Sequence, residues 1–100
     1  MARLIYAEQA VADLERLTDF LLESDPAAAV ETIDLIEEAV GILNRHPQIG
    51  RPAESGLREL VISRGRSGYL ALYSYEPAVD VVFALAIRRQ REAGYLAPDA

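Results

Sequence analysis

The residues of this sequence best suited to chemistry are three arginines near its C-terminal end, Arg88, Arg89 and Arg91. A guanidinium group stays charged, and its planar donors match carboxylate and phosphate oxygens, so the cluster suits the binding of an anion. The arginines directly follow residues 79–87, in which Asp80 is the only charged residue. A segment so short and so apolar is typical of a strand buried on both faces. The sequence therefore predicts a central strand that carries a positive edge at its end.

A simpler interpretation of these arginines stays open. Runs of charge are usually solvated surface, and the cluster could serve only to solubilise the strand end or to pair with helix acids such as Glu37. The same alternative applies to Arg64 and Arg66, which lie on a predicted hairpin turn where exposed charge is expected.

Groups able to catalyse a reaction are scarce. The single histidine, His46, precedes Pro47 and falls in the last turn of a predicted helix, where the helix dipole favours it. Neither a cysteine nor a second histidine is present to build a metal site. Glu37 and Glu38 fall on a predicted helix and are interpreted as solvated. Because phosphate-binding glycine loops and nucleophile–histidine sets are also missing, we predict no catalytic residue, no metal and no cofactor.

Composition and charge set further limits. The 100 residues, 51% hydrophobic and 26% charged, suit one domain over residues 1–100, with an ordered core at 4–95 and a frayed tail at 96–100. No apolar run could span a bilayer and no signal peptide is evident, so a cytoplasmic location is expected. Residues 1–44 carry ten acids and two arginines, a net charge of −8, whereas residues 45–100 carry eight arginines and six acids, a net charge of +2. The acidic total of −6 disfavours a dedicated nucleic-acid binder.

Hydrophobic spacing predicts a short first strand, residues 3–6, and then two helices joined by a tight break. Asp25 is a good N-cap for the second helix, and Pro26 suits its first position. Asp13 lies off the apolar stripe of the first helix and is expected to be solvated. The first stripe comprises Ala10, Leu14, Leu17 and Leu21. The second helix has two adjacent stripes, which predict two packing neighbours: Ala29, Ile33, Ile36, Val40 and Leu43, and then Ala28, Leu35, Ala39 and Ile42.

Three further strand signals, at residues 57–63, 68–75 and 79–87, are separated by short turns and predict an antiparallel meander. The sequence therefore predicts an α+β domain of order β-α-α-β-β-β, in which an antiparallel helical hairpin packs on an antiparallel sheet. The strand at 79–87 is expected to be internal. The predicted shared core comprises Leu14, Leu17, Ile33, Ile36, Val40, Val82, Phe83 and Leu85.

In order and spacing, these segments resemble the RelE/ParE superfamily of bacterial toxins from type II toxin–antitoxin modules. The resemblance spans residues 4–95 and is sharpest at residues 47–52 (PQIGRP), residues 57–60 (LREL), the strand holding Tyr69 and Tyr73, and residues 87–95 (IRRQREAGY). It implies a toxin bound by a cognate ParD-like antitoxin, a small dimeric DNA-binding protein whose C-terminal segment wraps the toxin. It implies no cofactor.

Members of this superfamily divide by target: RelE-like members cleave mRNA on the ribosome, and ParE-like members are associated with poisoning DNA gyrase. By resemblance to the nuclease branch, Val61 and Ser63 stand where two lysines belong and Leu70 stands where an arginine belongs, while Arg89 and Tyr95 match. RNA cleavage needs a base and cations that stabilise the transition state. The resemblance therefore favours the ParE-like branch. The alternatives are an mRNA interferase using Arg89 and Tyr95, and a degenerate toxin retained only as an antitoxin partner.

Two candidate surfaces follow, one for the target and one for the antitoxin. Direct nucleic-acid binding and membrane contact are not expected. The target-binding candidates are Arg58, Arg64, Arg66, Arg88, Arg89, Arg91 and Tyr95. The antitoxin-binding candidates are apolar residues of the first helix, Leu17, Phe20, Leu21 and Leu22.

Overall fold

A computed structural model of the chain describes residues 1–62 and 68–90, which form two helices and five strands. The α+β class is confirmed, although β2 and two short 3₁₀ turns were not predicted. The predicted tail, residues 96–100, lies outside the described residues. The elements are β1 (Arg3–Tyr6), α1 (Glu8–Ser24), α2 (Pro26–Gly41), a 3₁₀ turn (Ile42–Asn44), β2 (Arg51–Pro52), a second 3₁₀ turn (Glu54–Gly56), β3 (Arg58–Ile62), β4 (Tyr69–Glu76) and β5 (Val81–Arg89).

The break between the helices forms as the sequence predicts. The Asp25 carboxylate accepts hydrogen bonds from the backbone N–H groups of Ala27 and Ala28, at 3.1 and 3.3 Å. Pro26 occupies the first helical position, where its missing N–H leaves no bond unmade. Because Asp25 alone separates two helices that pack against each other, α1 and α2 form the predicted hairpin. Within the described ranges, no helix is long and apolar enough to cross a membrane.

The sheet has the order β1-β5-β4-β3-β2, and β5 is internal as predicted. Its pairings are antiparallel except one: β1 runs parallel to β5, with Leu4 opposite Val82. The sheet is therefore mixed, not wholly antiparallel. A parallel pair needs a long crossover between its strands, and the helical hairpin lies between β1 and the meander to supply it.

The core lies between the hairpin and one face of the sheet. It contains Leu17, Ile36, Val40 and Val82 as predicted, and Leu14 and Ile33 pack against it. The prediction was wrong for the two remaining members, Phe83 and Leu85, which are half-buried and outside the core. Phe83 lies opposite Ser74 and points away from the helices, and Leu85 falls where the β4–β5 register shifts. β5 is thus buried more deeply on the side that faces the helices.

One flank of α2 is less covered than its two stripes predict. Leu35 and Ile42, from the second stripe, are exposed, whereas Ile36 and Val40 from the first are fully buried. Ala39 packs against the core and marks the border between the two environments. Within the described residues, α2 therefore has α1 and the sheet as neighbours but leaves its outer flank open.

Asp13 is buried, contrary to the expectation that it is solvated, and its side chain is only 2% exposed. One carboxylate oxygen accepts from the backbone N–H of Ile87 at 2.8 Å, and the other accepts from the Gln9 amide at 2.9 Å. The pairing of β1 with β5 ends at Tyr6 and Ala84, and no strand in the described part of the chain pairs with that edge of β5 beyond Ala84. Asp13 satisfies an amide on that edge and ties α1 to the end of β5.

Candidate partner-binding site

The side of the sheet opposite α1 and α2, called here the open face, brings the candidate positions together. Val61 lies opposite Leu70 across β3 and β4, and Leu70 lies opposite Arg88 across β4 and β5. The neighbouring residues in these strands, such as Ile62 and Ile87, face the core, so strand alternation places this row on the open face. The sheet thereby aligns two aliphatic side chains with one arginine.

These three side chains line a pocket of about 300 Å³ with Arg51 and Gln90, called here the Arg88 pocket. Its floor is apolar: Leu70 is only 3% exposed. Nη1 of Arg88 donates to the carbonyl oxygens of Arg89 and Gln90, at 3.1 and 3.4 Å, which folds the guanidinium back over the strand end. The pocket therefore combines an aliphatic base with a fixed cation.

Arg51 supplies the second cation, and Glu59 fixes its position. Nε and Nη2 of Arg51 both donate to Oε1 of Glu59, at 2.9 and 2.6 Å, and the two residues pair across β2 and β3. Among the described residues, this end of the open face therefore holds the guanidinium groups of Arg51 and Arg88 and the carboxylate of Glu59. Such a site can attract an anion, but the described residues lining it include no histidine and no carboxylate that could accept a proton.

Arg89 lies on the other face of the sheet. It pairs with Tyr69, a core residue, and its Cζ atom stands 4.5 Å from the centroid of the Phe20 ring on α1. This distance is that of a cation–π contact. Burial raises the pKa of Tyr69, an effect that the nearby positive charge of Arg89 partly offsets. The predicted positive edge is therefore divided between the two faces of β5.

Because Arg88 and Arg89 lie on opposite faces of the sheet, only one of them lies beside the positions that carry cations in the nuclease branch. The resemblance assigned the last-strand arginine to Arg89, but the register places Arg88 beside Leu70 and Val61. Strand residues one apart point in opposite directions, so an assignment shifted by one residue reverses the face. Ser63 and Tyr95, the other positions in that comparison, lie outside the described residues.

Arg58, a target-binding candidate, holds a loop in place. Its Nη1 donates to the carbonyl oxygens of Gln48 and Gly50, at 3.1 and 2.8 Å. The Tyr73 hydroxyl accepts from the N–H of Gly50 at 2.8 Å, and burial raises the pKa of Tyr73. These contacts fix the motif at residues 47–52 to β3 and β4. Arg51, which belongs to this motif, lines the Arg88 pocket.

The remaining target-binding candidates lie outside the described residues: Arg64, Arg66, Arg91 and Tyr95.

The antitoxin candidates on α1 differ in accessibility. Phe20 and Leu22 are 46% and 45% exposed, and Leu21 is half-buried. Leu17 is only 1% exposed and belongs to the core, so it is not part of an accessible surface. Among these four candidates, accessible apolar surface therefore comes chiefly from Phe20 and Leu22.

The hairpin carries a second apolar feature that the sequence analysis missed. A groove of about 210 Å³ lies between the helices, and exposed Val30 forms part of its α2 side. The signal was present, because Val30 is a large apolar residue that belongs to neither stripe of α2. The groove is lined by Thr18, Leu22, Ala29, Val30, Ile33 and Asp34.

Groups that could hold a metal ion are missing from the described residues: no three His, Cys, Asp or Glu side chains come together there.

Comparisons with known proteins identify similar sequences. The family model for ParE toxins of type II toxin–antitoxin systems (parDE) matches residues 4–94. The chain is 38% identical over 80 residues to the protein named Toxin RelE3 of Caulobacter vibrioides, a match that covers 80% of this chain and 85% of that protein.

Solved structures show the same fold. A chain of the chromosomal ParDE system from P. aeruginosa is 27% identical, with a TM-score of 0.75, over 89% of this chain and 96% of that one. The isolated RelE toxin of E. coli has a TM-score of 0.62 over 93% of this chain and 88% of that one. Its identity is only 14%, so this second likeness concerns the fold alone.

Proposed function

The chain belongs to the ParE toxin family of type II toxin–antitoxin systems, within the RelE/ParE superfamily, and we propose that it arrests growth by binding and poisoning DNA gyrase. A cognate ParD-like antitoxin neutralises it, and both act in the cytoplasm. The toxin works as a binding protein and not as an enzyme. No cofactor enters this mechanism.

The observation that carries the proposal is the row formed by Val61, Leu70 and Arg88. In the nuclease branch, the positions of the first two residues supply cations that act on the phosphate. Here they form an aliphatic floor, and Arg88 is the cation beside them. One missing electrostatic donor typically lowers an enzymatic rate by about 10²–10³-fold, so the loss of several leaves little nuclease activity.

Relatives named RelE support a second candidate, a ribosome-dependent mRNA interferase. The 38% identity to Toxin RelE3 is higher than the 27% identity to the P. aeruginosa chain from a ParDE system. In this alternative, Arg88 and Arg51 would hold a phosphate of the mRNA. The base that RNA cleavage requires would then come from a group other than the described residues of the pocket.

The proposed target surface is the end of β5 together with the arginine-bearing segments that follow β3 and β5. Arg88 and Arg89 present positive charge on both faces of the strand end. Charge reversal at Arg88 should weaken the poisoning of gyrase without unfolding the domain. Arg89→Glu would additionally lose the contact with Phe20, so it should reduce both target binding and stability.

The proposed antitoxin surface is the accessible apolar part of the hairpin, centred on Phe20 and Leu22 with Leu21 beside them. Antitoxins accompany the similar chains in the ParDE system of P. aeruginosa and in the RelBE complexes of M. tuberculosis and E. coli. A segment that folds on binding must offset its ordering entropy, and preformed apolar surface such as the groove beside Leu22 provides that free energy.

Expression of the chain in growing bacteria, without and with its antitoxin, tests the proposed function. Pulse labelling with thymidine and with methionine separates the candidates, since gyrase poisoning should lower DNA synthesis before translation. Arg45→Glu is a matched charge reversal at an exposed arginine beyond α2 and should arrest growth like the wild type. An early fall in translation would favour the interferase. Unimpaired growth at high expression would indicate a degenerate toxin.

A further inference from the structure

We propose that Asp13 is a positioning residue for target binding: it holds the end of β5 in the alignment that directs Arg88 to the open face. The inference deepens the proposed function and rests on it, because it assumes that the target contacts the end of β5. Asp13 itself is too deeply buried to touch a target, since its side chain is only 2% exposed. It acts through the backbone N–H of Ile87, the residue that directly precedes Arg88.

An irregularity in β5 determines the face on which Arg88 lies. Val82 and Ala84 face the core, so strict alternation would turn residue 88 to the core side as well. Next to Ala84, however, β5 has one residue more than the facing part of β4, which makes Leu85 the extra residue of a β-bulge. The bulge reverses the alternation, so that Ile87 lies in the core and Arg88 turns to the open face.

The strand end beyond this bulge depends on support from its other edge. A bulge leaves its extra residue unpaired and disrupts the ladder locally, so β4 stabilises the residues beyond it less. On the opposite edge, the pairing of β1 with β5 ends at Ala84, and no strand within residues 1–62 and 68–90 continues it. The carboxylate of Asp13 takes this place, with Oδ2 accepting from the N–H of Ile87 at 2.8 Å. A buried acceptor on α1 therefore supplies the hydrogen bond that a neighbouring strand would otherwise make.

The position of Asp13 is fixed by its neighbours on α1. Its Oδ1 atom accepts from the Gln9 amide at 2.9 Å, and Nη2 of Arg16 lies 3.9 Å from the same oxygen. A carboxylate taken out of water needs such partners to offset the cost of desolvation. Phe20, about two turns further along the helix, contacts the guanidinium of Arg89. α1 therefore holds the strand end at two points, the backbone through Asp13 and a side chain through Phe20.

A role in stability alone would give a different result from positioning. In that case, removal of Asp13 would lower the free energy of unfolding but leave the target affinity of the folded protein unchanged. The location of the bond favours positioning, because Ile87 directly precedes the two arginines of the proposed target surface. Binding side chains need supporting contacts that fix their geometry, and a charge-assisted hydrogen bond is a strong contact of this kind.

The affinity of the purified toxin, freed of its antitoxin, for DNA gyrase tests the proposal. Asp13→Ala leaves the Ile87 N–H without its acceptor and should weaken binding by about 10-fold or more, the loss expected for a hydrogen bond to a charged group. Asp13→Asn keeps an oxygen for the same N–H and should recover most of the lost affinity. Ile36→Ala, a core change on α2 of comparable cost to stability, should bind like the wild type at a temperature where all variants are folded.

Two further measurements separate positioning from a general loss of stability. In an Arg88→Gln background, Asp13→Ala should weaken gyrase binding much less than in the wild type, because the cation that it positions is already removed. Amide hydrogen exchange followed by NMR should be faster at Ile87 in Asp13→Ala, with the centre of β5 unchanged. If Asp13→Ala folds poorly, Asp13→Leu provides the same test, since leucine has similar branching but no acceptor.

Two results on gyrase binding would overturn the proposal. Equal affinity of the wild type, Asp13→Ala and Asp13→Leu would leave Asp13 with a structural role only, while binding by the wild type would leave the proposed function intact. Losses that simply add in the Asp13 and Arg88 cycle would show that Asp13 does not act through Arg88. A wild-type toxin that does not bind gyrase would instead overturn the proposed function and, with it, the role in target binding. Hydrogen exchange on the toxin alone would still decide the structural step, and unchanged exchange at Ile87 would refute it.

Discussion

Replacing Gly50 with alanine tests how the loop before β2 is held against the sheet. A Cβ atom at this position would stand 2.6 Å from Cε1 and Oη of Tyr73 and 2.9 Å from the carbonyl oxygen of Glu59. Tyr73 is fully buried, so its ring has little room to move away. Overpacking of this kind costs about 1–3 kcal/mol. Lengthening the bond from the Gly50 N–H to the Tyr73 hydroxyl adds about 1–3 kcal/mol if the buried amide is left unsatisfied.

Gly50→Ala should therefore lower the free energy of unfolding by about 2–6 kcal/mol. Urea unfolding followed by circular dichroism measures this loss as a lower midpoint at unchanged slope. Gly41→Ala is the matched control: nothing lies within 4 Å of its added Cβ, and it ends α2, so it should gain about 0.5–1 kcal/mol. A loss below about 0.5 kcal/mol in Gly50→Ala would refute the packing described for this loop.

Three further changes test the core and its charges. Asp13→Ala leaves the β5 amide without its acceptor and should cost about 1.5–3 kcal/mol in urea unfolding; a loss within 0.5 kcal/mol would mean that water replaces the carboxylate. Ile36→Ala should cost about 2–5 kcal/mol, whereas Leu35→Ala, on the exposed flank of α2, should cost less than half as much; equal losses would contradict the assigned helix face. The Tyr75 hydroxyl donates to the Asp80 carboxylate at 2.7 Å, and this bond, together with burial, raises the pKa of Tyr75 above its usual value of about 10. A raised pKa favours the protonated phenol in the folded state, so this stabilisation is complete below about pH 10 and is lost as the pH rises further. The free energy of unfolding should fall more steeply above pH 10 in the wild type than in Tyr75→Phe, and identical profiles would exclude this contribution.

The parts of the fold that depend on local pattern were predictable from the sequence. Asp25 and Pro26 specify a helix start through their own backbone and side-chain chemistry, and the bond distances agree with that role. The buried stripe through Ile36 and Val40 follows from helical spacing alone. A segment as apolar as residues 81–87 predicts a strand in the middle of a sheet, where its side chains are shielded from water, and β5 is indeed internal.

Features that depend on pairing between distant segments were not predictable in this way. The burial of Asp13 depends on where the pairing of β1 with β5 ends, because its carboxylate binds the backbone N–H of Ile87, 74 residues away along the chain. The face assigned to Phe83 depends on the β4–β5 register and on the shift in it near Leu72 and Tyr73. Parallel pairing of β1 similarly depends on the course of the hairpin over the sheet.

The same distinction between local pattern and long-range pairing applies to the candidate site. Its residue types were visible in the sequence, since arginines and missing lysines can be read directly. Strand alternation already requires Arg88 and Arg89 to point in opposite directions, so their separation could have been predicted. Which of them meets Val61 and Leu70 required the register. The contribution of Arg51 required β2, a two-residue strand too short to leave a periodic signal.

The most direct test of gyrase poisoning runs two assays on one preparation of toxin freed of its antitoxin. The first measures DNA supercoiling and cleaved DNA–gyrase complex with purified gyrase. The second measures mRNA cuts in the presence of ribosomes. With Val61 and Leu70 in place of cations, the account predicts inhibited supercoiling or accumulated cleaved complex, and no ribosome-dependent cuts. Cuts in the mRNA together with unaffected gyrase would contradict it and assign the chain to the interferases.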